Sequence, residues 1–207
     1  MKLYDFAGAP NPRRVKIFAA EKGIDLELVP TDMSKGEHKT PAFLQKNPSG
    51  KLPVLETDAG ECIAESVAIC RYLEALYPEP NLFGADPVEL GQIEMVHRHI
   101  ELELFSQIGT SWVNGPVVGK LFAGQIEQIP AAKEKSDAGV NRYYQRIDNQ
   151  LAECDYIAGD RFTIVDITTL VAIDFAGSLV GLKPDESLDR LWAWHARVSA
   201  RPSCQIQ

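Results

Sequence analysis

The chain has 207 residues, 45% hydrophobic and 24% charged, which is the composition of an ordinary globular protein long enough to bury a proper core. Its formal net charge of −8 opposes binding to nucleic-acid phosphates or anionic membranes, while leaving room for basic residues to gather around a small anion. The opening "MKLYDFAGAP" is too short in apolar residues for a signal peptide, and no run approaches the ~20 apolar residues of a membrane span.

In chain order, KLYDF (2–6) reads as a short strand. The turn Ala9-Pro10-Asn11-Pro12 then leads into a helix, with Asn11 suited to the N-cap, Pro12 to the first helical position and Gly23 to the stop. Val15, Phe18 and Ala19 give that helix an apolar face. DLELV (25–29) alternates Leu26 and Leu28 as a half-buried strand does, and KTPAFLQKN (39–47) suggests a short helix. GKLPVLETDAGECIAES (50–66) reads as two strands around a turn at 58–60. A helix follows, with Ile69, Tyr72, Leu73 and Leu76 at helical spacing.

The second half differs in kind. YPEPNLFGADP (77–87) is rich in Pro and turn formers and reads as a linker. Beyond it, Ile93, Val96, Ile100 and Leu104 form one helical stripe, and Val140, Tyr144, Ile147 and Leu151 another. GDRFTIVDITTL (159–170) carries a capping box, Thr163 with Asp166, and a staple pair, Phe162 with Ile167. Cys62, Cys70, Cys154 and Cys204 form no CxxC pair and no metal-ligand spacing, which points to free thiols in a reducing cytosol.

Two places carry candidate chemistry on their own residues. Pro53 interrupts an apolar run. It is either an edge-strand proline or part of a cis Leu52–Pro53 bond whose tight turn presents the Leu52 backbone. Glu65 and Ser66 open a helix, and a helix start welcomes a carboxylate through its unpaired N–H groups. Ser66 offers a hydroxyl donor and Glu65 a partner for an ammonium; the same pair also suits plain helix capping.

A βαβ-ββα unit carrying "NPSGKLPVLE" and "IAESVAICRYL", followed by a helical half with "GDRFTIVD", resembles the cytosolic glutathione transferases over essentially the whole chain. The resemblance implies an α/β thioredoxin-like N-terminal domain at 1–76, a linker at 77–87 and an all-α C-terminal domain at 88–207. It implies a cytoplasmic homodimer with glutathione as co-substrate and a role in detoxification. No metal, nucleic acid or membrane partner is expected. By the same resemblance, the Leu52 backbone beside Pro53 pairs with the cysteinyl part of glutathione as an added strand would. Glu65 and Ser66 then hold its γ-glutamyl end, and His38 and Lys51 reach its glycine carboxylate. Phe105, Ile108 and Trp112 are candidates for the electrophile side, at a spacing that suits core residues equally.

Glutathione transfer needs an ionised thiol, and a free thiol titrates near ~8.5. A hydrogen bond to a charged group contributes roughly 1.5–3 kcal/mol. At ~1.36 kcal/mol per unit, one donor lowers the thiol by about one to two units. Where many family members carry a Ser, Cys or Thr, this chain has Ala9. Asn11 stands two residues on, in a turn similar to that of the nu-class bacterial transferases and of the fungal prion-forming nitrogen regulator. There, Asn at this position is associated with the glutathione sulfur. Asn11 is therefore the expected thiolate stabiliser, helped by backbone N–H groups, with a simple helix cap as the alternative. Arg13 and Arg14 read as a solvated face able to steer an anion.

The expected activity is thiolate attack on small electrophiles, or disulfide or peroxide reduction. The absence of Cys from the turn argues against a protein mixed disulfide. The rival is a non-catalytic glutathione-binding or regulatory module of the same fold.

Overall fold

Four short strands form a mixed sheet in the order β2-β1-β3-β4. β1 (Lys2–Asp5) runs parallel to β2 (Glu27–Pro30) and antiparallel to β3 (Val54–Glu56), which pairs antiparallel with β4 (Cys62–Ala64). Leu3 faces Leu55 and Tyr4 faces Val54 across β1 and β3. The computed structural model describes residues 1–206.

The period of two sends neighbouring β1 residues to opposite faces, and the helices divide accordingly. On one side, Lys16 of α1 (Pro10–Glu21) pairs with Asp5 at 2.9 Å. On the other, Phe43 of α2 (Pro41–Lys46) meets the Tyr4 ring edge to face at 5.9 Å. Val15 and Phe18 of α1, and Ile69 and Leu73 of α3 (Ser66–Leu76), are buried with Leu3 and Leu55.

Two local expectations shift. The first helix starts at Pro10, with Ala9 rather than Asn11 at the N-cap and no side-chain cap bond. Proline lacks the N–H that the first turn does not need, so the helix absorbs both Pro10 and Pro12. β2 begins at Glu27 rather than Asp25, and Leu28 is 47% exposed. It is an edge strand paired only with β1, so nothing beyond that one ladder fixes its limits.

The register decides which loops meet. The C-terminal ends of β1, β2 and β4 and the N-terminal end of β3 all lie at one end of the sheet. The turn into α1, the loop after β2, Leu52–Pro53 and Glu65–Ser66 leave the sheet there.

The chain divides into two compact units: Met1–Leu82 together with the C-terminal segment from Arg201, and Phe83–Ala200. The returning segment is clasped to α1. Arg201 forks onto the Glu21 carboxylate with contacts of 2.8 and 2.7 Å, and Ser203 donates to the same group. Arg13 donates to the carbonyls of Cys204 and Ile206, at 3.0 Å each. At the other end of α1, buried Lys22 pairs with Glu74 at 2.6 Å and donates to the carbonyls of Tyr77 and Pro80.

The second unit is helical. A long helix comprises α4 (Pro87–His99), a π-helical segment (Ile100–Phe105) and α5 (Ser106–Val113). After it come α6 (Pro116–Leu121), α7 (Pro130–Gln150), α8 (Ile164–Phe175), a second π-helical segment (Ala176–Val180) and α9 (Asp189–Ser199). Of the two stripes, Ile93, Ile100, Leu104, Val140, Tyr144 and Ile147 are buried, while Val96 and Leu151 are half-buried. α8 is the core of this unit, buried throughout Ile164–Ile173. Its Thr163–Asp166 capping box is formed. The Asp166 carboxylate also accepts from Ile157 N–H at 3.0 Å and the Trp194 indole at 2.9 Å. Among the described residues no helix is long and apolar enough to cross a membrane. None of the four cysteines is in a disulfide.

Candidate functional site

At the start of α1, chemistry is restricted by what the backbone lacks. Pro10 and Pro12 have no N–H, so Asn11 carries the only one among the first three helical residues. The first helical bond runs from Arg13 N–H to the Ala9 carbonyl at 3.3 Å. The half-buried Asn11 side chain has no hydrogen-bond partner among the described residues. One residue thus offers both a backbone and a side-chain donor at the positive end of a 12-residue helix.

The start of α3 is open in a similar way. Glu65 is its N-cap and makes no side-chain cap bond. At φ 66°, Glu65 is the one non-glycine residue in the left-handed region among the described residues. β4 ends at Ala64 and α3 begins at Ser66, so this single residue turns the chain from strand to helix. Backbone strain of this kind costs of order 1–3 kcal/mol. Ser66 is buried, and its hydroxyl oxygen accepts from Arg14 at 2.7 Å.

Leu52–Pro53 is a cis peptide bond beside β3. The loop before it is built by Asn47, which is buried and donates to the Lys51 carbonyl at 2.8 Å. It also accepts from the Ser49 N–H and hydroxyl at 3.1 and 2.9 Å. Gly50 lets this loop approach the segment after β2. A Cβ there would stand 2.7 Å from the Lys39 ammonium and 3.0 Å from the His38 carbonyl, and φ is +59°. His38 and Lys51 therefore sit on adjoining loops. Burial, aided by the Lys39 charge, holds the His38 imidazole below its usual pKa, so it is neutral near pH 7. Lys51 is exposed.

The topology thus gathers Asn11, His38, Lys51, Leu52, Pro53, Glu65 and Ser66 on segments at one sheet end. Phe105, Ile108 and Trp112 belong to the second unit. Ile108 is fully buried there, Phe105 is half-buried, and Trp112 packs edge to face on Phe175 at 5.4 Å. Arg13 and Arg14 are not a solvated face: Arg13 is engaged by the C-terminal carbonyls, and Arg14 is 2% exposed. Asn47 is the residue that sequence reasoning missed, and the burial of Arg14 against Ser66 is what it misread. The Asn-Pro-Ser-Gly turn signal pointed toward Asn47, whereas nothing local marked Arg14.

Comparison with known proteins agrees with this fold. Residues 1–75 match the model of the glutathione S-transferase N-terminal domain and residues 117–202 that of the C-terminal domain. Glutathione S-transferase 2 of Saccharomyces cerevisiae is 38% identical over 206 residues, spanning 98% of this chain and 87% of the yeast protein. The crystal structure of Gtt2 from the same yeast superposes with a TM-score of 0.90 at 36% identity, covering 99% of each chain. That of a glutathione S-transferase domain-containing protein from Marinobacter aquaeolei VT8 gives 0.88 at 38% identity, covering 99% of this chain and 100% of that one. With a thioredoxin-like unit, a helical unit and these full-length likenesses, the chain belongs to the glutathione S-transferase family of enzymes.

Proposed function

We propose that the protein binds glutathione as its thiolate and delivers it to small electrophiles, or to disulfide or peroxide substrates. The first unit serves as the glutathione-binding domain and the helical unit as its partner domain, in a cytoplasmic homodimer. The observation that carries this reading is that two helix starts without side-chain caps, those of α1 and α3, leave the same end of the sheet.

In this reading the Asn11 amide donates to the sulfur, with the Asn11 backbone N–H and the α1 dipole adding to it. Ser66 and the α3 N–H groups receive the γ-glutamyl carboxylate, and Glu65 pairs with the ammonium. The Leu52 backbone holds the cysteinyl peptide, Pro53 fixing its course. Lys51 supplies a charge to the glycine carboxylate and neutral His38 a hydrogen bond. In conjugation, the sulfur lone pair forms the bond to the electrophilic carbon and the leaving group departs with the bonding pair. Of the three electrophile-side candidates, Phe105 and Trp112 keep partial exposure, whereas Ile108 is wholly committed to the core.

Titration calorimetry with glutathione, followed by turnover of a chlorodinitrobenzene, a small disulfide and a hydroperoxide, tests this reading. Binding with turnover of any of the three supports it. Binding without turnover supports a non-catalytic glutathione-binding module, a reading favoured by the missing hydroxyl at Ala9. Absence of binding overturns both.

A further inference from the structure

Arg14 is among the largest fully buried side chains of the molecule, and its guanidinium donates to the Ser66 hydroxyl oxygen at 2.7 Å. It reaches across 52 positions of sequence to link the N-terminal half of α1 with the first residue of α3. A serine hydroxyl has two acceptor lone pairs and one proton on a freely turning O–H bond. With its oxygen occupied as an acceptor toward Arg14, Ser66 keeps that proton for donation elsewhere. The guanidinium also brings a permanent charge, since arginine does not deprotonate in proteins. That charge lies beside a helix start whose partial charge has the same sign.

We infer that Arg14 is a positioning residue for glutathione. It holds the Ser66 hydroxyl so that its proton points to the γ-glutamyl carboxylate, and it raises the positive potential felt by that carboxylate. The inference rests on the glutathione reading above and adds to it a residue that acts through Ser66. It also explains why a cation is kept out of water near the start of α1, where a lysine or arginine would otherwise sit on the surface.

The test is a double-mutant cycle on glutathione affinity, measured by calorimetry on Arg14→Met, Ser66→Ala and the double variant. Each single substitution is expected to weaken binding about tenfold, the effect of losing one charge-assisted or oriented hydrogen bond. Because Arg14 acts through Ser66, the double variant should bind no more than about twofold more weakly than the weaker single variant. KM for glutathione should rise in parallel, while kcat at saturating glutathione stays within about twofold, since the donor at Asn11 is untouched.

Thermal melts accompany the series. If Arg14→Met does not fold, Arg14→Lys takes its place in the cycle, keeping the charge but losing the fork. Wild-type affinity in the arginine variant, or a double variant weakened by the product of the two single effects, overturns the inference. A wild-type protein that does not bind glutathione overturns the underlying reading, and this is seen before any variant is compared.

Discussion

The starts of α3 and α8 solve the same problem in opposite ways. At α8, Thr163 and Asp166 close on each other, and the buried Asp166 carboxylate collects four contacts from Thr163, Ile157 and Trp194. Burial pushes that carboxyl up, and the hydrogen bonds work against the push. At α3, Glu65 makes no cap bond, holds a left-handed backbone, and leads into a serine fixed by a buried arginine. The first arrangement satisfies the helix from within. The second makes no side-chain cap, and in the proposed reading its donors receive glutathione. If that reading holds, the two helix starts of one chain separate stability from function.

Asp166→Ala should give the largest effect. Removing a buried carboxylate that accepts four contacts strands several buried donors, and denaturant unfolding should show a loss of about 3–5 kcal/mol. A loss below about 1 kcal/mol would show that the closed start of α8 is not what holds the helical unit.

Glu65→Gly sharpens the comparison from the other side. Glycine adopts φ 66° freely, so the variant should gain up to about 1 kcal/mol in stability. Its glutathione affinity should fall at the same time. A variant that loses stability, or binds as well as the wild type, would remove the contrast between the two helix starts.

The smallest expected effect lies in the clasp between α1 and the C-terminal segment. Burial pushes the Glu21 carboxyl up, but the Arg201 and Ser203 bonds outweigh it and hold the group below the usual glutamate range. A depressed carboxyl contributes stability above its unfolded pKa and loses it as pH falls through the folded value. Wild type should therefore melt above Glu21→Gln at pH 7, by an amount corresponding to about 1 kcal/mol for a partly buried pair. The difference should close as pH falls below the ordinary glutamate range. A difference that persists unchanged to low pH would place the clasp's contribution in packing instead of charge.

Much of the fold was legible because its signals are local. Ile69 and Leu73 mark α3 by spacing, and Thr163 with Asp166 mark α8 by a four-residue pattern. The start of α1 was misread by two positions because two prolines in a first turn are tolerated equally by both frames. β2 was misplaced because an edge strand has only one ladder to fix it. Of the candidate site, the loop ends could be ordered from strands and turns. The arginines could not, since Arg14 finds its partner 52 positions away and Arg13 its carbonyls 191 and 193 positions away. Only folding brings such pairs together.

The account rests on Asn11 stabilising a thiolate, and the ultraviolet thiolate absorbance of bound glutathione, titrated against pH, tests it directly. In the wild type the bound thiol should titrate below the ~8.5 of a free thiol. In Asn11→Ala it should rise by about one to two units, the equivalent of one hydrogen bond to a charged group. An identical bound-thiol pKa in both proteins would contradict the account and leave Asn11 as an ordinary residue of the first helical turn.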